Sequence, residues 1–249
     1  MAEKFFSNSA LLDQREQTRF LPDSEIKVSK RRKGYLLLKC CFDFVFSVCA
    51  GMVLLIPMGI IAVIIMLKDP GSPFYVQKRL GQYGREIDVL KFRSMRKGAD
   101  RLEEMLTPEQ IEEYKREYKL EDDPRLIGYK KPGDGKNCFG SFIRRTSVDE
   151  LPQIIWNICI KGNMSVVGPR PILLDELRDH YSPKEQALFL SVKPGLTGYW
   201  QAYARNDATY ESGERQKMEM YYISNQSMWL DAKIILQTVV SVLRKAGAK

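Results

Sequence analysis

Histidine is nearly missing from this chain: His180 stands alone among 249 residues. With one imidazole, neither a histidine-based triad nor an ordinary zinc site can be assembled. Any metal here is then a hard cation held by oxygens, which points to magnesium. Cysteines are few and scattered. Of the five, Cys40, Cys41 and Cys49 lie at or inside an apolar run, Cys138 and Cys159 are isolated, and no Cys-x-x-Cys pair occurs. No disulfide framework is implied. Internal repeats are absent too. Gly133-Asp134-Gly135-Lys136 invites a phosphate-loop reading, but the required Gly-x-x-x-x-Gly-Lys-Ser/Thr spacing is lacking, so residues 129–137 read as a plain loop.

Charge is missing over one long stretch. From Phe42 to Leu67 the ionisable side chains are Asp43 and Cys49 alone, over roughly the ~20 residues that a bilayer span needs. About 40 residues precede the run, too many for a secretory signal of ~15–30 residues. Lys30-Arg31-Arg32-Lys33 stands before it and Lys78-Arg79 after it, so each end asks to stay on the cytoplasmic side. Pro57, near the middle, removes a backbone donor. Physics alone leaves two readings level: a kinked spanning helix, or a hairpin that enters and leaves by one face.

The composition is otherwise that of a globular protein, 44% apolar and 28% charged. Net charge is +8 and the pI near 9.1. A nucleic-acid partner is not expected despite that charge, because the apolar run has no role there. Residues 1–33 read as a polar, basic tail, 34–69 as the membrane segment and 70–249 as one domain with its own core. Residues 71–96 form two β-like stretches around a glycine turn, a hairpin carrying cations. Residues 99–118 read as a charged helix with a solvated face. Residues 227–243 form an amphipathic helix expected to pack on the domain, the alternative being the bilayer surface with Trp229 at the interface.

The stretch from Phe142 to Asn157 passes from Arg144-Arg145 to Asp149-Glu150 and then into an apolar helix. With Asp149 as N-cap, Pro152 falls at the third helical position, where a missing N–H is tolerated. Taken alone, the acidic pair is no more than a cap and a dipole partner. Its surroundings add to it. Arg170 is held between Pro169 and Pro171, which restricts the backbone on both sides and suits a guanidinium aimed at phosphate. Lys91, Arg93, Arg144, Arg145 and Arg170 around two acids supply charge neutralisation, a Mg²⁺ ligand and a nucleophile for reaction at a diphosphate. Spacing does not choose which acid attacks.

The apolar run with Pro57, Gln77-Lys78-Arg79, Lys91-Phe92-Arg93-Ser94-Met95, Asp123-Pro124-Arg125, Arg144 to Gln153, Gly168-Pro169-Arg170-Pro171 and Lys193-Pro194-Gly195-Leu196-Thr197-Gly198 occur in one order. Through them the chain, from Lys39 to about Gly247, resembles the bacterial sugar transferases of the monotopic polyprenyl-phosphate phosphoglycosyl transferase superfamily, in its small members without a multi-span N-terminal domain.

The resemblance implies an α/β fold, mostly helical with a few short strands. It would comprise a re-entrant membrane helix broken at Pro57 and a compact cytoplasmic catalytic domain with interfacial amphipathic helices, at the bacterial inner membrane. Family members commonly break this helix at Ser-Pro, whereas this chain has Ile56-Pro57. The resemblance further implies transfer of a phosphosugar from a UDP-sugar to polyprenyl phosphate, with release of UMP. Asp149 would be the nucleophile, Glu150 the Mg²⁺ ligand, and Arg144 and Arg170 the phosphate-binding arginines. Lys91 and Arg93 would join them, with Gln201, Arg205 and Asn206 helping to shape the nucleotide-sugar site. Which sugar is moved, and whether the chain forms a homo-oligomer, stay open. The competing reading is a membrane-surface adaptor without catalysis, in which Asp149→Asn changes nothing.

Overall fold

The computed structural model describes residues 30–117, 120, 122–204 and 212–247. The tail expected over 1–33 lies, but for its last four residues, outside the described residues.

Helix α1, Lys30–Lys68, carries the apolar run, and among the described residues it alone is long and apolar enough to cross a membrane. One stripe along it is covered by the rest of the protein: Lys39, Asp43, Ser47, Gly51, Met58 and Ile65 are buried, with Leu54, Ile61 and Ala62 packed beside them. Steps of three and four residues keep these positions on one face. The other faces leave Leu37, Val45, Met52, Val53, Ile56 and Leu67 exposed. The helix continues through Pro57, and no turn folds it back on itself. Proline removes one ladder bond, and here the turns on both sides are packed, so the helix does not end.

Strands β1, Phe74–Leu80, and β2, Glu86–Phe92, pair antiparallel from Phe74↔Phe92 to Leu80↔Glu86. This is the hairpin expected from the sequence. Its tight turn holds Tyr83 and Gly84 at positive φ. Three helices follow: α2, Leu102–Met105, α3, Pro108–Glu117, and α4, Phe139–Arg145.

Beyond α4 the chain differs from the expected helix start. Ser147 takes φ 59°, a tight 3₁₀ turn spans Val148–Glu150, and Pro152 opens the next helical turn. Asp149 therefore lies inside the 3₁₀ turn and is not the cap of the long helix. Proline in a first turn costs no hydrogen bond, which lets the turn and the helix abut. That helix widens into a π-helical segment, Ile154–Ile160.

Strand β3, Ser165–Val167, runs into Gly168-Pro169-Arg170-Pro171 and pairs parallel with β4, Gly195–Thr197. Between them lie α5, Leu174–His180, and α6, Pro183–Leu190. Gly168 and Gly195 back onto each other so closely that a Cβ on either would clash with the other's backbone. Helices α7, Tyr199–Tyr203, α8, Glu214–Ser224, and α9, Met228–Gly247, complete the fold. Helix α9 packs as expected, with Ile234 and Asp231 fully buried, yet Trp229, Leu236 and Val239 remain exposed. The architecture is mostly helical with few short strands, as the sequence implied.

Two apolar clusters form the core. One gathers Val89, Val166, Ile172, Tyr222 and Ile234, and the other Phe92, Ile127 and Ile143 with Met58 and Ile65 of α1. Phe42 and Phe46 of α1 reach the first cluster, so the apolar helix is fastened to both.

Candidate active site

The period-two alternation of the hairpin starts the site. Val89 and Lys91 point to one face of β2, and Arg79, paired with Ile87, shares that face from β1. The 3₁₀ turn meets the end of β2, where Lys91 Nζ donates to Glu150 Oε1 at 3.2 Å, each side chain about a fifth exposed (18% and 19%). From the other side, the rigid turn after β3 brings Arg170. The three cations and Glu150 line one cleft with two amides, Gln153 and Gln201. Val89, Pro171, Gly195 and Leu196 form its apolar walls.

The amides carry information. Gln153 is 2% exposed, and its Nε2 has no hydrogen-bond partner among the described residues; the Oε1 of Gln201 is likewise buried and unpaired there. A buried amide atom without a partner costs about 1–3 kcal/mol, so two at one cleft leave bonding capacity that a polar ligand can complete.

Behind the cleft, Glu176 holds two arginines, Arg79 at 3.6 Å and Arg215 at 3.2 Å. The guanidinium of Arg215 lies 4.2 Å from the Trp200 ring centroid and that of Arg170 6.0 Å from the same ring. Glu219, on α8, accepts the backbone N–H of Arg170 at 3.3 Å. Burial pushes the Glu219 carboxyl up to about 7, against the pull of Arg215 and Arg170.

The residues singled out in the sequence are distributed as follows. Glu150, Lys91, Arg170 and Gln201 share the cleft. Asp149, half-buried, precedes Glu150 in the same turn and is not among the cleft-lining side chains. Arg144 is exposed at the end of α4 and does not line the cleft either. Arg93 faces elsewhere: its guanidinium pairs with Asp69 Oδ2 at 2.6 Å and with the Asp69 carbonyl, securing the chain just past α1. Arg205 and Asn206 lie outside the described residues. Sequence reasoning gave no role to Arg79, Gln153, Glu176, Arg215 or Glu219. The signal for Arg79 was its alternation with Lys91 across a hairpin; the others meet only in three dimensions.

The donor set also bears on magnesium. Among the described residues no three His, Cys, Asp or Glu side chains gather. Mg²⁺ is commonly held by one or two carboxylates plus substrate phosphates and water. Glu150, which lines the cleft, supplies one carboxylate of the kind such a cation takes beside a diphosphate.

The family model described as "Bacterial sugar transferase" matches residues 34–245. The chain is 38% identical to the UDP-galactose-lipid carrier transferase of Erwinia amylovora over 85% of its own length and 41% of that protein's. It is 38% identical to the undecaprenyl-phosphate galactose phosphotransferase of Salmonella typhimurium, over 87% and 43%. To the exopolysaccharide production protein ExoY of Sinorhizobium fredii it is 36% identical, over 84% and 87%. It thus spans about two fifths of the first two relatives and most of the third. Matches of this extent reach from α1 through the cleft to α9, and on them the chain belongs to the bacterial sugar transferase family.

Proposed function

We propose that the protein transfers a phosphosugar from a UDP-sugar to polyprenyl phosphate and releases UMP, with Asp149 as nucleophile. A carboxylate oxygen of Asp149 attacks the β-phosphorus, and the bond from that phosphorus to the bridging oxygen breaks, with UMP leaving on that oxygen. A phosphate oxygen of the polyprenyl phosphate then attacks the same phosphorus and frees the Asp149 carboxylate. The product is a polyprenyl diphosphate sugar. Splitting one hard displacement into two is what covalent catalysis achieves.

The observation that carries this reading is the cleft itself: Arg79, Lys91 and Arg170 line it together with Glu150, the neighbour of Asp149, in a family whose relatives bear lipid-carrier and undecaprenyl-phosphate transferase names. Three cations in a partly desolvated cleft supply the electrostatic stabilisation that a diphosphate reaction needs. When bound, Mg²⁺ would add further neutralisation of the diphosphate, with Glu150 as the residue that would hold it. Gln153 and Gln201 face the neutral, hydroxyl-bearing part of the donor. In this reading the product feeds surface-glycan assembly, in keeping with the name of the exopolysaccharide relative.

The proposal includes placement of α1 at the bacterial inner membrane as an unbroken helix with both ends on the cytoplasmic side, the face that also carries the domain. Covered positions run from Lys39 to Ile65, about 39 Å of helix at 1.5 Å per residue. A helix covered by a globular domain over a stretch longer than a bilayer core of about 30 Å is not free to stand across it. Basic flanks at both ends favour the same side.

The test is UMP release by detergent-purified protein given Mg²⁺, a short polyprenyl phosphate and a panel of UDP-sugars. Wild type is expected to release UMP with one sugar, and Asp149→Asn to release none. An Asp149→Asn protein as active as wild type would refute the nucleophile and return the adaptor reading.

A further inference from the structure

In Pro169-Arg170-Pro171 the arginine owns the only amide N–H, because proline has none. That single donor goes to Glu219 Oε1 at 3.3 Å. Glu219 is 1% exposed, and its other oxygen has no hydrogen-bond partner among the described residues. It sits on α8 one turn after Arg215, whose guanidinium shares the Trp200 ring with that of Arg170.

A buried carboxylate is a costly way to satisfy one N–H, since burial disfavours its charge by more than Arg215 and Arg170 offset and one of its oxygens is idle. A carbonyl or a water would serve the fold at lower cost. The arrangement makes sense for presentation instead. Flanking prolines restrict the backbone of Arg170, Glu219 fixes its one remaining amide, and the Trp200 ring supports its side chain. The guanidinium then meets its ligand with little conformational entropy left to lose.

We propose that Glu219 is a positioning residue for Arg170, holding the arginine's main chain so that its guanidinium faces the phosphate end of the cleft. This rests on the transferase reading and adds to it a residue outside the cleft that governs binding of the nucleotide diphosphate.

Steady-state UMP release, followed against UDP-sugar concentration, tests the proposal with Glu219→Leu, Glu219→Gln, Arg170→Ala and the Glu219→Leu/Arg170→Ala double variant. Leucine fills the buried site without an acceptor, and glutamine restores one. Expected are a KM raised about tenfold in Glu219→Leu with kcat changed by less than about threefold, and a KM within about threefold of wild type in Glu219→Gln. In the Arg170→Ala background, adding Glu219→Leu should change KM by less than about twofold, because the residue it positions is gone.

Losses that multiply in the double variant would overturn the proposal, as would a Glu219→Gln protein no better than Glu219→Leu. If Glu219→Leu does not fold, the glutamine variant decides: a KM raised tenfold or more counts against the role. Absence of UMP release from wild type with every sugar sinks the transferase reading itself, and this proposal falls with it. An active wild type with an additive cycle removes only the role of Glu219.

Discussion

Lys91 and Glu150 meet at 3.2 Å, and Gln153 lies beside them with an unpaired amide. The two features have opposite consequences for stability. An ion pair at a partly open cleft contributes modestly, whereas an unpaired buried amide is a standing cost of about 1–3 kcal/mol. Gln153→Leu, which keeps the volume and removes the unpaired atoms, should raise the melting temperature of the detergent-purified protein while lowering kcat/KM about tenfold. A variant less stable than wild type and fully active would show the amide to be a structural group with a partner in solution. Glu150 and Lys91 were legible in the sequence because acids before an apolar helix and a lysine ending a β pattern are local signals. Gln153 was visible but mute, since nothing along the chain says that its amide is left without a bond.

The decisive contact between elements is made by Asn157. It is fully buried in the π-helical segment, accepts the Leu90 N–H at 3.1 Å, and donates to the Asp88 carbonyl at 2.8 Å. One side chain thus closes the open edge of β2 and fixes the helix against the strand that carries Lys91. Asn157→Ala would leave a backbone donor and an acceptor buried and unpaired, at a cost of about 2–4 kcal/mol. Thermal unfolding should show that loss, and Lys91-dependent turnover should fall with it. Unchanged stability would mean that water replaces the amide.

The hairpin itself was readable, as alternation around a glycine turn is a period of two that needs no partner to be recognised. The 3₁₀ turn holding Asp149 was not. A helix was expected to begin at Asp149, but Pro152 sets the start and Ser147 accepts a positive φ to reach it.

At the scale of the molecule, α1 is bound to the domain by a buried polar knot as well as by apolar packing. Lys39 Nζ and Tyr35 OH both donate to Asp231 Oδ2 at 2.8 Å, Tyr222 OH donates to Oδ1 at 2.8 Å, and Asp43 accepts the Val166 N–H at 3.0 Å. Removing one partner of a buried ion pair strands the other, a loss of roughly 3–5 kcal/mol, while replacing both with apolar groups is often nearly neutral. Lys39→Met or Asp231→Leu alone should therefore lower the melting temperature sharply, and the double variant should recover much of it. A double variant that only adds the two losses would mean that the hydroxyls, not the pair, hold the knot.

The placement of both helix ends on one side has its own check in vesicles of defined orientation. In a protein freed of native cysteines, Gly34→Cys and Ser72→Cys at the exposed ends of the apolar helix should react with an impermeant maleimide from the same side. Labelling from opposite sides would establish a span.

The sequence by itself determined that a long apolar helix exists, that its flanks are basic, that a cation-bearing hairpin follows, and that an acidic pair and a proline-bracketed arginine lie in a family-specific order. Each of these is written in neighbouring residues, through hydropathy, alternation or backbone restriction. Only the tertiary structure decided that α1 lies along the domain, that Arg79, Lys91 and Arg170 share a cleft with Glu150, and that Arg93 turns to Asp69. It alone set Glu219 behind Arg170. The physical reason is that burial and pairing depend on groups far apart in the chain: Glu219 and Arg170 are 49 positions apart and Lys39 and Asp231 192, and no local period encodes such a meeting.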